Sequence, residues 1–300
     1  MDPFANKTSV TELRYAVHDG TELTLDLYRP EGATDAPRPC VLLIHGGAMR
    51  SGERSDLAPW GRYLAGLGYA AASIDYRLAR HVNAAYPANI LDVAAAIQYL
   101  RLRARELGVD GSRIAVLGAS SGAYLAAMVV LRRDDPALRD AYPEDPQHGE
   151  SGAADVALVI AGTYDNIAGW EHDQLHRSDR ALETYLGGTP TSARRTYFES
   201  SPMFYADTER SAGTRWLIAW GTEDDVVDPT RQSVSFARAL KQAGAVVRTC
   251  PMPGSSHYWL WHADEDLLEA GRETAYLAPR VRTFLRRWSG WAQRPEENRI

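Results

Sequence analysis

The stretch VLGASSGAYLA, Val116–Ala126, sets two adjacent serines between two glycines. Its pattern G-x-S-x-G selects Ser120 rather than Ser121 as the serine at the centre of a sharp turn. The strand-like apolar run Arg113–Leu117 precedes the turn, and the helix-like run Ala123–Arg132 follows it. Such a strand–turn–helix connection is crowded two residues before and after the serine, so both places need glycine. The stretch therefore predicts a serine hydroxyl held above the end of a buried strand.

Strand-like and helix-like segments alternate on both sides of this turn, which indicates βαβ units. Near the N-terminus, two alternating runs flank Asp19-Gly20, a dipeptide that suits the positive φ angles of a type I′ hairpin. The sequence therefore predicts an α/β fold with a mostly parallel central sheet, an N-terminal antiparallel hairpin and helices on both faces. The predicted strands are Leu13–Asp19, Glu22–Tyr28, Cys40–His45, Tyr69–Asp75, Arg113–Leu117, Asp155–Ile160, Trp216–Trp220 and Val246–Pro251. The predicted helices are Leu57–Leu67, Ile90–Leu107, Ala123–Arg132, Thr230–Ala243 and Leu267–Trp288.

The domain organisation follows from the continuity of this series. No Pro/Gly/Ser-rich linker, repeat or low-complexity tract interrupts it, so residues 1–300 are predicted to form one α/β domain. Residues 134–180 are rich in proline, histidine and acidic side chains and contain only one clear strand. Because ligands bind at the carboxyl edge of open α/β sheets, this segment is predicted to form a cap excursion there.

The bulk composition excludes several classes of protein. Apolar residues make up 45% of the chain and charged residues 24%, as in globular enzymes. The net charge of −6 argues against a nucleic-acid partner, and no apolar run reaches the ~18 residues that cross a bilayer. Cys40 and Cys250 are too few for a disulfide framework, and MDPFANKTSV does not resemble a secretory leader. We expect a cytoplasmic protein without nucleic-acid or membrane partners, and a homodimer stays open.

A serine hydroxyl is a weak nucleophile at neutral pH and needs a base beside it. In folds of this architecture the order along the chain is serine, acid, histidine. The stretch WLIAWGTEDDVVDP contains a predicted strand, and Asp224 comes directly after its tight turn, with Asp225 as an alternative acid. His257 lies in the loop MPGSSHYWLW after the last strand, closer to the strand end than His262. Ser120, Asp224 and His257 are therefore the predicted catalytic residues.

The stretch HGGAMRSG, His45–Gly52, follows the first buried strand. Adjacent glycines allow backbone N–H groups to approach a substrate oxygen closely, as an oxyanion hole requires. The N–H groups of Gly46, Gly47 and Ser121 are the predicted oxyanion donors. The side chain of His45 is expected to order this loop rather than to take part in chemistry.

The segment HDQLH, His172–His176, admits a competing interpretation as a zinc site, since histidines four residues apart share one helix face. A third ligand is not evident, and Asp173 is one methylene shorter than the glutamate of such sites, so no metal is predicted. The substrate pocket is expected to lie against residues close to the predicted catalytic groups. The pocket candidates are Ala48, Met49, Trp170, Tyr258 and Trp259, with Trp261 as a further aromatic.

Five segments together resemble the α/β-hydrolases, and more closely the bacterial carboxylesterases related to hormone-sensitive lipase and to feruloyl and acetyl-xylan esterases. The segments are HGGAMRSG, IDYRLA (Ile74–Ala79), YPANILDVAAAIQYLR (Tyr86–Arg101), GASSGA and WGTEDDVVDP. The resemblance covers roughly residues 20–290 and implies the same triad and oxyanion positions as the residues themselves do. There are two departures: Ala48 stands where the usual HGGG has its third glycine, and Ala119-Ser120-Ser121 stands where many lipase-like members have Asp-Ser-Ala.

These features predict a serine hydrolase that cleaves small to medium carboxylic esters and needs no metal or organic cofactor. The same groups serve amide hydrolysis, so an arylformamidase or amidase stays an alternative, as does a hydrolase recruited to a biosynthetic pathway. Kynurenine formamidases have a similar loop but follow HGG with an aromatic residue, whereas Ala48 and Met49 stand here. A non-catalytic ligand-binding protein on this fold is a third alternative, disfavoured because all three predicted catalytic residues are present.

Overall fold

The computed structural model describes residues 8–31, 36–79, 85–259 and 272–290. The strands in these ranges are β1 Thr8–His18, β2 Thr21–Pro30, β3 Arg38–Ile44, β4 Ala70–Ile74, β5 Val109–Ala119, β6 Val156–Ile160, β7 Arg215–Gly221 and β8 Val246–Met252. They form one sheet in the order β1-β2-β4-β3-β5-β6-β7-β8. Neighbouring strands are parallel from β4 to β8 across the sheet, whereas β2 is antiparallel to both β1 and β4. The predicted fold class is confirmed.

The helices surround the sheet on both faces. In the described ranges they are α1 Ala58–Gly66, α2 Ala88–Leu102, α3 Ala104–Leu107, α4 Ser121–Leu131, α5 Pro136–Arg139, α6 Asn166–His176, α7 Ala181–Leu186, α8 Arg194–Glu199, α9 Thr208–Ser211, α10 Ser235–Gln242 and α11 Arg272–Ser289. Successive side chains of a strand point to opposite faces, so the central strands contribute to two core layers. Leu42 and Val116 lie in the layer that contains α2 and α4, while Val41 and Leu117 lie in the layer that contains α1 and α11.

The N-terminal hairpin forms where the sequence predicts it. Asp19 and Gly20 both have positive φ angles, +48° and +74°, as the two central residues of a type I′ turn require. Strand β2 then pairs with β4, which attaches the hairpin to the parallel part of the sheet.

The position of β3 brings two functional loops together. This strand lies between β4 and β5, and its last residue, Ile44, is paired with Gly118 of β5. The chain therefore winds in opposite directions on the two sides of β3, and ligands bind at such a switch point in open α/β sheets. The loop that follows β3 begins with His45, and the turn that follows β5 contains Ser120, so both lie at this edge.

The excursion predicted for residues 134–180 divides into two parts with different surroundings. Its first part contains α5 and packs beside the hairpin, where Gln147 donates a hydrogen bond to the Tyr15 carbonyl at 3.1 Å and Asp145 lies 2.9 Å from His18 Nε2. Its second part contains β6 and α6, and a series of short helices, α7 to α9, continues from there to β7. The sequence pattern did not predict these short helices.

Three predicted helices differ from the observed ones. The helix expected over Thr230–Ala243 begins with a π-helical segment, Thr230–Val234, that leads into α10. The helix expected over Ile90–Leu107 is divided into α2 and α3 by a turn at Arg103. The helix expected over Leu267–Trp288 is observed as α11, and its predicted residues 267–271 lie outside the described ranges. Among the described residues, no helix combines the length and apolar character that crossing a membrane requires.

Candidate active site

The turn after β5 holds Ser120 in a strained conformation. Its φ angle is +51°, a region that side chains other than glycine rarely adopt. A Cβ added at Gly118 would overlap the Gly122 carbonyl, and a Cβ added at Gly122 would overlap the Ile44 carbonyl. The close approach of three backbone segments therefore requires both glycines, and it lifts the serine hydroxyl above the sheet edge.

Ser120 and His257 lie within hydrogen-bonding distance of each other. The Ser120 Oγ atom is 3.0 Å from His257 Nε2, and His257 Nδ1 is 2.7 Å from Asp224 Oδ2. The side chain of His257 is 3% exposed and that of Asp224 is 1% exposed. The structure therefore brings the three predicted catalytic residues into one hydrogen-bonded chain, although they lie on three different loops.

The loop after β7 holds the carboxylate of Asp224 in place. Its Oδ1 atom accepts hydrogen bonds from the backbone N–H groups of Val226 and Val227, at 3.0 and 2.8 Å. The neighbouring Asp225 is exposed, and it is the Asp225 carbonyl, not its carboxylate, that lies 2.9 Å from His172 Nε2. Of the two acids that the sequence left open, Asp224 is the one beside His257. The alternative base, His262, lies outside the described residues.

The loop after β3 faces Ser120 across the cavity. Gly47 and Ser121 both line the cavity, and no acceptor in the described residues takes a hydrogen bond from their N–H groups. Gly46 is not among the lining residues, but its carbonyl lies 2.7 Å from His45 Nδ1. His45 is buried, which lowers its pKa, and its ring stacks on Tyr76 at 4.3 Å. The buried, uncharged ring fits the predicted role of ordering the loop.

Two residues after the glycine pair adopt left-handed conformations. Ala48 has a φ angle of +53° and Met49 one of +63°. Ala48 occupies the position where the resembling proteins have a third glycine, which would adopt this conformation without a steric penalty. The loop therefore keeps the backbone path of a glycine-rich segment although its residues are not glycine.

We expect Ala48→Gly to raise the free energy of unfolding by about 1 kcal/mol, because glycine removes the left-handed penalty of a Cβ. Urea denaturation of the two proteins measures the difference. Ala239→Gly, in the interior of α10, is the matched control and should lower the free energy of unfolding by about 0.5–1 kcal/mol. Equal destabilisation by both substitutions would contradict the strain at Ala48.

A cavity of about 410 Å³ opens beside Ser120 and His257. Three of the predicted pocket residues, Ala48, Met49 and Tyr258, line it. Trp170 and Trp259 do not, which corrects the prediction for these two. Trp170 packs against the core and donates a hydrogen bond from Nε1 to Glu183 at 2.9 Å, and Trp259 belongs to the core layer of α1 and α11. Trp261 lies outside the described residues.

The floor of the cavity contains residues that the sequence analysis did not single out. The Tyr185 hydroxyl lies 2.9 Å from Asn89 Oδ1 and 3.2 Å from the Tyr124 hydroxyl, and both tyrosines line the cavity. Tyr124 follows Ser120 by four residues, so one turn of α4 places it on the same side of the helix. This spacing was a usable signal for Tyr124, whereas nothing in the local sequence indicates Tyr185.

The histidine pair of α6, which the sequence analysis considered as a zinc site, lies beside the cavity. The rings of His172 and His176 lie 4.8 Å apart, but no group of three or more possible ligands was found among the described residues. The helix contributes instead to the cavity wall through Asn166, Gly169, His172 and Asp173.

Comparison with known proteins gives a family match over most of the chain. The BD-FAE family model matches residues 25–240, a range that contains the loop after β3, Ser120 and Asp224. His257 follows the matched range.

Two curated esterases of Mycobacterium tuberculosis are similar to this chain. Esterase LipC is 30% identical over 268 residues, which cover 87% of this chain and 61% of LipC. Esterase LipQ is 29% identical over 246 residues, which cover 79% of this chain and 54% of LipQ. The chain thus spans only about half to three fifths of the length of these relatives.

A solved structure matches nearly the whole chain. The butyrate-bound form of Est2, an esterase from Thermogutta terrifontis, has a TM-score of 0.77 and 25% sequence identity, and the match covers 97% of this chain and 98% of that chain. The same esterase phosphorylated by paraoxon matches with a TM-score of 0.73 and 25% identity, over 95% of this chain and 96% of that chain.

Proposed function

Because the chain belongs to the BD-FAE family and has the α/β-hydrolase fold, we propose that it is a serine hydrolase that cleaves small to medium carboxylic esters. The observation that carries this proposal is the chain of hydrogen bonds from Ser120 through His257 to Asp224, at 3.0 and 2.7 Å. The arrangement provides a nucleophile, a base within reach of its proton, and an acid that orients the base.

In the first half of the reaction, Ser120 Oγ attacks the ester carbonyl while His257 Nε2 takes the hydroxyl proton. Asp224 accepts the hydrogen bond from Nδ1, which keeps the proton off Nε2 beforehand and stabilises the imidazolium afterwards. The backbone N–H groups of Gly47 and Ser121, which both line the cavity, stabilise the negative charge on the former carbonyl oxygen; Gly46, the third donor expected from the sequence, does not line it. A donor of this kind contributes roughly 3–4 kcal/mol to the stability of the transition state.

In the second half, the alcohol leaves with the proton from His257 and the acyl group remains on Ser120. Water then attacks the acyl carbonyl while His257 takes its proton; the bond to Ser120 Oγ breaks, the free acid leaves, and His257 returns the proton to Ser120 Oγ. Each proton thus moves between His257 and an oxygen atom in the cavity, and the enzyme regains its starting state.

The similar esterases support ester substrates for this chain. LipC and LipQ are named as esterases, and Est2 has been solved with butyrate and propionate bound. Est2 is also phosphorylated by paraoxon and phosphonylated by sarin, which fits an activated nucleophile in that protein. The proposal extends this ester chemistry to the present chain through the 25% identity and the nearly complete structural match.

The test is a comparison of purified protein on p-nitrophenyl acetate, butyrate and octanoate, with N-formylkynurenine alongside. We expect hydrolysis of the short esters and slower turnover of octanoate, because a cavity of about 410 Å³ accommodates a small substrate more readily than a long chain. If the esters are not hydrolysed and the formamide is cleaved rapidly, the protein is an amidase rather than an esterase. No turnover and no labelling of Ser120 by a fluorophosphonate probe would favour a binding protein.

A further inference from the structure

The wall that α6 contributes to the cavity is polar and charged. Asn166, Gly169, Asp173 and Arg177 follow one another at intervals of three and four residues, so they share one face of the helical segment. All four line the cavity that contains Ser120 and His257. A substrate that reaches Ser120 therefore enters a cavity in which one wall carries charged groups.

The carboxylate of Asp173 has weak partners among the described residues. It accepts no hydrogen bond from any residue in the described ranges, and its nearest cation there is Arg177, whose Nε atom lies 3.9 Å away. The other nitrogens of Arg177 are directed elsewhere, to the Val226 carbonyl at 3.3 Å and to Asp179 at 3.5 Å. Arg50 also binds Asp179, at 3.0 Å. Both arginines of the cavity are thus closer to Asp179 than to Asp173.

The remaining acid of the cavity is already satisfied. The carboxylate of Asp228 accepts hydrogen bonds from the backbone N–H groups of Thr230 and Arg231, at 2.8 and 3.2 Å. Only Asp173 combines a largely buried position, with 15% of its side chain exposed, with an absence of donors from the described residues. A buried carboxylate of this kind is stabilised by any cation that enters the cavity.

Resting on the ester hydrolysis proposed above, we infer that Asp173 is a specificity-determining residue that selects esters carrying a quaternary or protonated ammonium group. The cation lies beside the Asp173 carboxylate while the ester carbonyl lies between Ser120 and the oxyanion donors. Arg50 and Arg177 lie closer to Asp179 than to Asp173. The lining of the cavity also contains three carboxylates, those of Asp173, Asp179 and Asp228, against these two arginines, so a negative charge is left for the substrate cation.

The experiment uses matched esters that differ only in charge. One pair is the choline ester of acetic acid and its uncharged isostere, in which carbon replaces the quaternary nitrogen. A second pair is the p-nitrophenyl esters of a trimethylammonio acid and of its carbon isostere, which places the charge on the acyl side. Within the first pair the acetyl-enzyme is the same, so any difference in kcat/KM arises before or during its formation. The readout is the ratio of kcat/KM for the charged ester to that for the neutral one.

We expect a wild-type ratio of roughly ten in at least one pair, the size of one charge interaction at a partly solvent-excluded site. In Asp173→Asn, which preserves the shape of the side chain, this ratio should fall to about one. Glu171→Gln is the matched control: it removes one negative charge from the same helix, but Glu171 forms an ion pair with Arg231 at 2.6 Å and does not line the cavity. Its ratio should stay at the wild-type value.

The ratio of kcat/KM for the charged ester to that for the neutral ester should also depend on pH. The pKa of Asp173 is raised to about 6, chiefly by burial and also by the nearby Asp179 carboxylate, while Arg177, His172 and Arg50 act to lower it. Tyr197 on α8 also faces this carboxylate. The anionic form therefore predominates above about pH 6, so the charge preference should be full at higher pH and decline as the pH falls through this value. A pH effect on hydrolysis that is common to both esters of a pair cancels in the ratio.

The outcomes separate this inference from the proposed function. Hydrolysis of the esters with wild-type ratios near or below one would overturn the selectivity while leaving the esterase in place. A high ratio that survives in Asp173→Asn would also overturn the role of Asp173. No hydrolysis of any ester, p-nitrophenyl acetate included, would overturn the proposed function and this inference with it.

Discussion

The Ser120→Ala protein is expected to hydrolyse p-nitrophenyl butyrate with a kcat roughly 10⁵- to 10⁶-fold below that of wild type. The substitution removes the Ser120 Oγ atom, which lies 3.0 Å from His257 Nε2, and with it the acyl-enzyme route. What remains is the binding of the ester and the stabilisation of its oxyanion, which by themselves accelerate hydrolysis only modestly over water.

The neighbouring serine is the matched control for this prediction. Ser121→Ala deletes a hydroxyl from the adjacent residue but keeps the backbone N–H group, which is the only part of Ser121 that the mechanism uses. We expect Ser121→Ala to retain a kcat within about tenfold of wild type. Comparable losses in the two variants would mean that both substitutions disturb the turn. That result would contradict the role of Ser120 as the nucleophile.

Folding does not confound the Ser120 variant. Alanine has the same Cβ as serine, so the conformation at φ +51° is no more strained in the variant than in the wild type. The thermal unfolding midpoint should therefore change by no more than a few degrees. A fluorophosphonate probe provides an independent readout, since it should label wild type and Ser121→Ala but not Ser120→Ala.

The parts of the structure that could be predicted from sequence are those determined by local sterics and by simple periodicity. The requirement for glycine around Ser120 is a matter of backbone contacts that any such turn must make, so the pattern alone identified it. The positive φ angles at Asp19 and Gly20 likewise follow from the chemistry of a two-residue hairpin. The central strands appear as continuous apolar runs because both of their faces are buried.

The walls of the cavity could not be predicted in this way. The helices from α7 to α9 are short, and α6 is joined to them by side chains distant in sequence, such as Asn166, whose amide donates hydrogen bonds to Ser200. The side-chain direction of Trp170, likewise, depends on a hydrogen bond with Glu183 of α7 rather than on its own neighbours. The sequence around Trp170 therefore did not indicate whether its ring faces the core or the substrate.

The break between α2 and α3 was hidden for a related reason. Apolar residues continue at helical spacing from Ile90 to Leu107, so the periodicity runs straight across the turn at Arg103. Periodicity reports which face is buried and is insensitive to one residue that leaves the helical conformation. The sequence left Asp225 open as an alternative to Asp224 for a different reason: the two residues are adjacent and have identical side chains.

The second large effect is expected at that pair. Asp224→Asn should lower kcat on p-nitrophenyl butyrate by roughly 10⁴-fold, whereas Asp225→Asn should stay within a few-fold of wild type. The Asp224 carboxylate accepts a hydrogen bond from His257 Nδ1 at 2.7 Å. It also accepts hydrogen bonds from the backbone N–H groups of Val226 and Val227. The amide oxygen of asparagine can still accept from these two N–H groups, which turns its NH₂ group toward the histidine ring. His257 Nδ1 must then accept a hydrogen bond.

That reversal moves the imidazole proton to Nε2, where it blocks the transfer of the Ser120 proton. The variant should therefore bind substrate with little change in KM while losing kcat, which steady-state kinetics at several ester concentrations can separate. Asp225 offers the same substitution one residue away, on an exposed side chain. A large loss in Asp225→Asn with activity preserved in Asp224→Asn would show that Asp225 is the acid. A loss confined to Asp224→Asn would show that catalysis depends on the tautomer of His257.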